Sequence, residues 1–441
     1  MKKIIALLLA CMMVIGLFAA CGGSKAPAAD APAADAPAAD APAADAPAAD
    51  APAAPEKLTL KVWCPGDELE CTRKMIENFA AAHPEYDCSG IECVDVGIDE
   101  AETNLLNDAD LAADVLQLPS GGITTMVEAG LLLPITVDAE NIKSLYGEGA
   151  LDAVIRHDDE LNMDLMYGVP FSPNTWFMYY NRDMYTEEEV KSLETMLAKD
   201  LGEDVYNFSC QIGNSWYIEA FFYAAGCNVF GPDGNDATQC DWNSANGLAA
   251  ANYIYDLTKN PKYLEDSGDG ISGTMMKDGK LGALCSGNWS YPDLYAAMGD
   301  KLGACALPTI NINGTDCQLS NFADYKTYCV KSNTAHPLAA QQLAAWLCNE
   351  ESQLIRYQMA GAAPTATALM ENEEVASNCS IVGLLAQSAY ATPQPSIPKI
   401  QDYWKPAEAI GDGIIGGTIT PDNLQAELDK AVEQIVGDVI G

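Results

Sequence analysis

Histidine and the basic residues are scarce in this chain of 441 residues. Only His83, His157 and His336 occur, and no two of them have the spacing of a helical metal site. Three widely separated histidines argue against a histidine-rich metal centre and against a histidine-based catalytic triad. Lysine and arginine number 23 against 63 aspartates and glutamates, which gives a formal net charge of −40. Nucleic-acid binding requires clustered Lys and Arg, and an anionic bilayer would repel such a chain. We therefore expect no metal, no cofactor and no nucleic-acid partner, and any membrane attachment has to be covalent or hydrophobic.

The motif Cys-x-x-Cys is also absent, although the chain has 15 cysteines. Cys11 and Cys21 lie near the N-terminus, which leaves thirteen, an odd number, so at least one thiol must be unpaired. Export would favour disulfides. Five cysteines nevertheless lie inside apolar runs, where a free thiol behaves as a small hydrophobic side chain; they are Cys64, Cys285, Cys305, Cys329 and Cys348. The sequence favours mostly reduced, buried cysteines, with disulfides as the alternative.

The N-terminus has the pattern of a secretory leader. Two lysines precede an apolar run over residues 4–20, about 17 residues against the roughly 20 of a membrane-spanning helix. The run ends in small residues before Cys21 and resembles a bacterial lipobox, with Phe18 where Leu is usual. We predict a lipoprotein signal peptide over residues 1–20 and a lipid on Cys21. The alternative, an uncleaved anchor, would also hold the protein at the outer face of the cytoplasmic membrane.

A repetitive segment follows the leader, because residues 26–50 are five copies of Ala-Pro-Ala-Ala-Asp. Proline at every fifth position, with aspartates that repel one another, favours a stiff, polyproline-like coil. At about 3.1 Å per residue, about thirty such residues reach at most roughly 90 Å. We predict that residues 21–56 form a spacer that lifts a globular body, residues 57–441, off the membrane.

The globular body begins with alternating strand and helix patterns. Residues 58–63 alternate in polarity like a strand, residues 69–79 have the apolar spacing of a helix, and residues 114–118 read as a second strand before a Gly-Gly turn and a short helix. This order predicts a parallel sheet flanked by helices, an α/β fold. Further along, Thr186 and Glu189 form a capping box that predicts the start of another helix.

Residues 168–183 have the pattern of a hinge. Two prolines in four positions remove two amide donors and force an extended backbone, so no helix can begin there. Residues 176–180 follow, five apolar or aromatic residues suited to a buried strand. An extended crossing that leads into a core strand, with α/β patterns on both sides, predicts a hinge between two lobes. Asn174 and Trp176 would lie at the mouth of the cleft.

Aromatic residues at turns after predicted strands have short polar residues near them. The rings are Trp176, Trp216, Tyr217, Trp289, Tyr291 and Trp404, and the polar residues are Asp67, Glu68, Asn174, Asn288 and Asp402. Sugars need this mixture, because their C–H faces stack on rings while each hydroxyl both donates and accepts hydrogen bonds. Core packing is the competing interpretation for any single ring. The set as a whole predicts a carbohydrate site.

The order of motifs resembles that of solute-binding lipoproteins of ABC importers, over residues 57–441. The motifs are the lipobox, Gly66-Asp67 after the first strand, and residues 128–132, 169–170, 180–183, 287–289 and 306–308. Residues 322–330, 361–364 and 395–400 with Trp404 are similar to the maltose- and maltodextrin-binding proteins of Gram-positive bacteria. The resemblance implies a periplasmic-binding-protein-like fold of two α/β lobes joined by three hinge crossings, residues 57–173 with 327–371 in lobe 1 and residues 174–326 with 372–441 in lobe 2.

The resemblance also implies roles for individual residues. Asp67 and Glu68 would bind sugar hydroxyls, although the family often has Lys at the second position; Asn174 stands where the family has a hydroxyl-binding acid. Trp289 and Trp404 match stacking rings, and Tyr217 matches a third. Leu118 falls where many maltodextrin binders carry Trp, which leaves the exact sugar open. A neutral oligosaccharide would be captured by a monomer between the lobes and presented to an ABC permease, without chemical change.

Two other classes of function compete with this interpretation. A cationic solute such as a polyamine would be attracted by the negative charge and enclosed by Trp and Asp side chains. A secreted glycosidase would need two carboxylates about 5 to 9.5 Å apart across the sugar bond. Acids are plentiful, but no motif holds two of them at a strand end beside the rings. We therefore expect a binding protein and no enzyme.

Overall fold

The structure is a computed structural model that describes residues 54–159, 161–268 and 270–437, apart from the side chain of Asp99. The predicted leader, the lipidation residue Cys21 and the Ala-Pro-Ala-Ala-Asp repeats lie outside these residues. Among the helices of the described ranges, none has the length and apolar character needed to cross a bilayer.

Strands and helices alternate along the described chain. The strands are β1 Glu56–Lys57, β2 Lys61–Cys64, β3 Tyr86–Asp87, β4 Glu92–Asp95, β5 Val115–Pro119, β6 Leu132–Leu133, β7 Ile155–Asp158, β8 Met163–Met166, β9 Val169–Asn174, β10 Trp176–Asn181, β11 Phe208–Cys210, β12 Tyr263–Glu265, β13 Ala283–Gly287, β14 Leu302–Cys305, β15 Thr309–Ile312, β16 Thr315–Gln318, β17 Phe322–Lys331 and β18 Thr392–Pro393. The helices are α1 Leu69–Ala82, α2 Ile98–Asn107, α3 Ile123–Glu128, α4 Ala139–Lys143, α5 Glu148–Asp152, α6 Leu193–Ala198, α7 Ser215–Ala224, α8 Ala245–Thr258, α9 Ile271–Lys277, α10 Tyr291–Met298, α11 Pro337–Leu347, α12 Glu350–Ala360, α13 Glu373–Ala376, α14 Cys379–Ser388, α15 Trp404–Ile415 and α16 Leu424–Val436.

The larger sheet has seven strands in the order β18-β17-β5-β2-β4, and β6 and β9 also pair with β17. β2 is parallel to β4 and β5, as the sequence predicts, whereas β17 runs antiparallel to β5 and β9. A buried cluster covers this sheet and includes Phe79 of α1, Leu105 of α2 and Leu343 of α11. Helices of 10 to 14 residues thus bury one apolar face each against the strands.

The smaller sheet has five strands in the order β12-β11-β13-β10-β14. All six residues of β10 are buried, and they alternate between two cores. Trp176, Met178 and Tyr180 pack in one cluster with α7, α8 and α15, while Phe177 and Tyr179 pack in another with α14. This division follows from the two-residue period of a strand that is covered on both faces. The predicted α/β fold, with sheets flanked by helices, is confirmed.

One residue, Thr175, separates β9 in the larger sheet from β10 in the smaller sheet. The predicted extended crossing is therefore a strand that pairs with β17 and leads directly into the predicted core strand. The expected lobe boundary at residues 326 and 327 falls inside β17, a continuous strand whose first side chain, Phe322, packs in the core of the smaller sheet. The number of hinge crossings and the division into lobes remain predictions.

The cysteines of the described ranges are all free thiols, and seven of these thirteen are buried. Burial raises the pKa of the Cys64 thiol to about 12 and that of Cys71 to about 11. Neither thiol is therefore ionised near neutral pH, and a neutral buried thiol packs as a small hydrophobic group.

Candidate functional site

Strand β17 carries polar side chains at alternate positions where it lies between the two sheets. Asp324, Lys326 and Tyr328 project to the same side, because side chains two apart in a strand share a face. Tyr328 is buried and its hydroxyl accepts a hydrogen bond from Gln117 Nε2 at 3.0 Å, while Lys326 is half-buried. The sequence motif over residues 322–330 was assigned to the family without a role for these side chains. Their alternation within an apolar strand is the signal that could have identified them.

Asp324 joins the hinge to the larger sheet. Asn174 Nδ2 donates a hydrogen bond to Asp324 Oδ1 at 2.6 Å, and the backbone N–H of Gly121 points to Asp324 Oδ2 at 3.4 Å. Asn174, the last residue of β9, lies directly opposite Asp324 in the register of β17. The predicted polar residue of the hinge thus lies beside an acid that the sequence reasoning missed.

Trp289 lies in the 3-10 turn that follows β13. It is 37 % exposed, and the ammonium group of Lys326 lies over its ring, 5.9 Å from the centroid. Gly287 is opposite Trp176 in the register of β13 and β10, which places this turn next to the hinge. Trp289 is the most exposed of the predicted tryptophans, and it contacts β17, the strand that also pairs with Asn174.

Trp216 and Trp404 form a second group of rings. Trp216 lies in α7 and Trp404 begins α15; both are half-buried, with ring centroids 6.3 Å apart. Each also contacts Phe322, at 6.1 Å and 6.4 Å respectively. These two predicted rings are therefore together, but each has one side committed to packing.

Trp176 and Tyr217 are core residues in this structure, which corrects the expectation that they face a cleft. Trp176 has no exposed surface, and its Nε1 donates a hydrogen bond to the carbonyl oxygen of Trp216 at 2.9 Å. Tyr217 is 8 % exposed, and its ring packs 4.8 Å from that of Trp176. Burial raises the pKa of the Tyr217 hydroxyl. Strand β10 is covered on both faces, so Trp176 points into a core at the position where the sequence suggested a cleft.

Glu68 is likewise a correction, because its carboxylate is already bound within the protein. It is 3 % exposed, and Oε2 accepts hydrogen bonds from Arg356 Nε at 3.0 Å and from Gln117 Nε2 at 2.8 Å. The Arg356 guanidinium also stacks on the ring of Phe171, 4.1 Å from its centroid. Asp67, in the same 3-10 turn after β2, is exposed and remains a candidate for binding hydroxyls.

Asn288 and Tyr291 flank Trp289 but differ in surroundings. Asn288 is 2 % exposed, and its Nδ2 finds no hydrogen-bond partner among the described residues. An unpaired buried donor costs free energy, so this amide is a candidate for contact with a ligand. Tyr291 stacks on Tyr295, with centroids 5.1 Å apart, and packs against the cluster that contains Tyr357. It therefore turns away from the other predicted rings.

A direct contact links elements that pack against different sheets. Gln401, in the 3-10 turn Pro398–Asp402 that packs on the helices of the smaller sheet, donates a hydrogen bond from Nε2 to Glu102 Oε1 of α2 at 2.8 Å. Neither residue was predicted to belong to the site. No cluster of three or more His, Cys, Asp or Glu side chains in the described part of the chain could hold a metal ion.

Glu219 of α7 is fully buried and lies next to the start of β17. Its Oε1 accepts a hydrogen bond from the backbone N–H of Phe322, the first residue of β17, at 3.1 Å. Burial raises the pKa of this carboxyl well above its ordinary value. Burial therefore favours the neutral form of this carboxyl in the folded protein more than in the unfolded chain.

Glu219 is expected to make the folded state more stable in mild acid. Because the folded-state pKa is raised, its contribution is fully present below the ordinary Glu pKa and is lost as pH rises toward the raised value. Glu219→Gln keeps an acceptor for the Phe322 N–H but cannot titrate. The rise in Tm from pH 7 to pH 5, measured by calorimetry, should be smaller in the variant than in the unchanged protein. Equal rises in both proteins would contradict a buried, neutral Glu219.

Comparison with known proteins agrees with the fold. Residues 74–381 match the model of a family described as bacterial extracellular solute-binding protein. The galactooligosaccharide-binding protein of Bacillus subtilis (strain 168) is 25 % identical over 342 residues, which are 75 % of this chain and 78 % of that protein. The maltodextrin-binding protein MdxE of the same organism is 24 % identical over 425 residues, 93 % of this chain and 92 % of that protein.

A solved structure with acarbose is similar in three dimensions. Its TM-score is 0.78 at 32 % sequence identity, and the match covers 86 % of this chain and 98 % of the other. The family match spans well over half of the 441 residues. On this evidence, together with an α/β fold of two helix-flanked sheets, the chain belongs to the bacterial extracellular solute-binding protein family.

Proposed function

We propose that this protein is the solute-binding component of an ABC carbohydrate importer and that it captures a neutral oligosaccharide, of the maltodextrin class or a related one, between its two lobes. The observation that supports this most is the set of contacts along β17. Lys326 of this strand lies over the exposed ring of Trp289, and Asp324, two residues earlier, accepts a hydrogen bond from Asn174 at the predicted hinge. Rings and short polar groups from distant parts of the chain thus line one region, as the binding of pyranoses requires.

Closure of the lobes is the mechanism that this arrangement supports. Lys326 with Trp289, and Gln401 with Glu102, connect elements of the larger sheet with elements of the smaller one. A sugar that touches both lobes does so fully only in the closed state, so its differential affinity shifts the population toward closure. The permease would recognise that closed form. We assign the protein no reaction.

The remaining parts of the proposal concern location and assembly. A lipid on Cys21 and the Ala-Pro-Ala-Ala-Asp spacer would hold the binding domain at the outer face of the cytoplasmic membrane of a Gram-positive-type bacterium. There it would act as a monomer. Three hinge crossings would join lobe 1, residues 57–173 and 327–371, to lobe 2, residues 174–326 and 372–441. Asp67, Asn174, Asn288, Trp289, Trp216 and Trp404 are the side chains that we assign to the ligand.

A thermal-shift screen tests the proposed function. A ligand that binds only the folded protein stabilises it by about 2.7 kcal/mol at a hundred times its Kd, which corresponds to roughly 3 °C in Tm for a protein of this size. We expect such a shift with maltotriose or a galacto-oligosaccharide and none with spermidine. A shift with spermidine alone would replace the proposal by a cationic ligand. Turnover of a chromogenic glycoside would indicate a glycosidase instead.

A further inference from the structure

Trp289 has a single face that a ligand can reach. A Cβ atom built on Gly287 would meet three carbons of the Trp289 ring at 2.1 to 2.5 Å. The indole therefore rests on the backbone of Gly287, which has no side chain to hold it away. Since the ring is 37 % exposed, the open surface is the face directed away from Gly287.

Lys326 lies over the Trp289 ring, and because the backbone of Gly287 occupies one face we infer that the ammonium is on the other. Its ammonium nitrogen is 5.9 Å from the ring centroid, within the range of a cation–π contact. Atoms in contact are separated by about 3.5 Å or more, so a pyranose placed between the ring and the ammonium would need roughly 7 Å. A sugar centred on the indole would therefore have to displace the ammonium of Lys326.

Within the described residues, no hydrogen bond or ion pair holds the ammonium of Lys326 in place. Three other lysines are paired with aspartates, Lys301 with Asp183, Lys331 with Asp114 and Lys399 with Asp402. Lys326 has no such ion pair in the described ranges. The residue is half-buried, and its side chain extends to the ring of Trp289. Its long stem lets the ammonium move to water once another group covers the indole.

We propose that Lys326 occupies the sugar-stacking face of Trp289 in the free protein and competes with the ligand for it, so that this lysine sets the affinity of the cleft. The inference rests on the proposed function, because it assumes that Trp289 stacks on a sugar. Lys326 would lower the affinity of the site for sugar, whereas the other residues assigned to the site raise it. A lysine that instead donated hydrogen bonds to the bound sugar would have the opposite effect when removed.

Lys326→Met separates these two roles, since methionine keeps an unbranched apolar stem and removes the ammonium. We expect calorimetry with maltotriose to show a Kd about two- to fivefold lower than that of the unchanged protein. Lys259→Met is the matched control, because Lys259 lies over the Tyr255 ring at 5.2 Å on the surface of α8, in the same kind of contact away from the hinge. The control should leave the Kd unchanged. An unchanged or higher Kd for Lys326→Met would overturn the inference.

A measurement without sugar keeps the inference distinct from the proposed function. Loss of the ammonium should change the tryptophan fluorescence of the free protein, and this change should vanish when Trp289→Phe is present in both members of the comparison. If no oligosaccharide binds the unchanged protein, the proposed function fails. The two fluorescence comparisons, with Trp289 and with Trp289→Phe, still decide whether Lys326 covers the ring. A fluorescence change that persists without Trp289, or no change at all, counts against it.

Discussion

Arg356→Met is expected to lower the free energy of unfolding by about 3–5 kcal/mol, because it leaves the buried carboxylate of Glu68 without its counter-charge. Arg356 is 1 % exposed and Glu68 is 3 % exposed. Besides the 3.0 Å contact with Glu68, the guanidinium donates from Nη1 to the carbonyl oxygen of Leu347 at 3.1 Å. Urea unfolding, followed by circular dichroism, measures the change.

Two further variants show whether the lost charge pair is the cause. The double change Glu68→Gln with Arg356→Met removes both charges and should recover part of the loss, since no uncompensated charge then remains in the core. Arg182→Met is the control at an exposed arginine and should cost less than about 0.5 kcal/mol. If Arg356→Met costs no more than this control, the pair does not stabilise the larger sheet.

Trp289→Ala is expected to weaken the binding of maltotriose by about tenfold or more while leaving the ligand-free protein as stable as before. Covering one face of a large ring is worth about 1.5 kcal/mol, which is the free energy of a tenfold change in Kd. The ring is exposed and supports no core, so the Tm of the free variant should stay within about 1 °C of the original. Calorimetry gives the Kd, and a thermal melt without sugar gives the stability.

Trp404→Ala provides the comparison for this prediction. Trp404 packs against Tyr403 at 5.0 Å and against Trp216 at 6.3 Å, so its removal should reduce both affinity and the Tm of the free protein. A Trp289→Ala variant that melts as early as Trp404→Ala would make Trp289 a packing residue. The proposed carbohydrate site would then lose its principal ring.

The extended segment at residues 169–174 and the buried strand after it could be predicted from the sequence because their signals are local. Proline fixes the backbone of its own residue and restricts its neighbour, and an aromatic run of five residues favours a buried strand in any context. Strand β10 therefore begins and ends within one residue of its predicted range. The capping box is also a local signal, and its hydrogen bond is present: Thr186 N–H donates to Glu189 Oε2 at 2.8 Å. The helix it was expected to start is a short 3-10 turn, and α6 begins only after Ser192.

The direction of individual side chains could not be predicted in the same way. Glu68 follows a strand beside an exposed Asp67, and its partner Arg356 lies 288 residues further along the chain. The prolines before Trp176 predict a place at the cleft, yet β10 is covered on both faces and the first residue of a covered strand is as buried as the rest. Burial of this kind depends on which elements pack together, and a short stretch of sequence does not indicate it.

The side chain of Asn321 has a consequence for how the two sheets can move. Its Nδ2 donates to Thr175 Oγ1 at 2.9 Å and to the carbonyl oxygen of Trp176 at 2.7 Å, while Thr175 Oγ1 donates to the carbonyl oxygen of Phe322 at 2.8 Å. The chain segments at residues 175 and 321–322 are thus fastened to each other. If the two sheets rotate relative to each other as the proposed function requires, we expect the rotation axis to pass near these atoms, because other movements would break the three bonds. These bonds would then restrict the direction in which the proposed cleft opens.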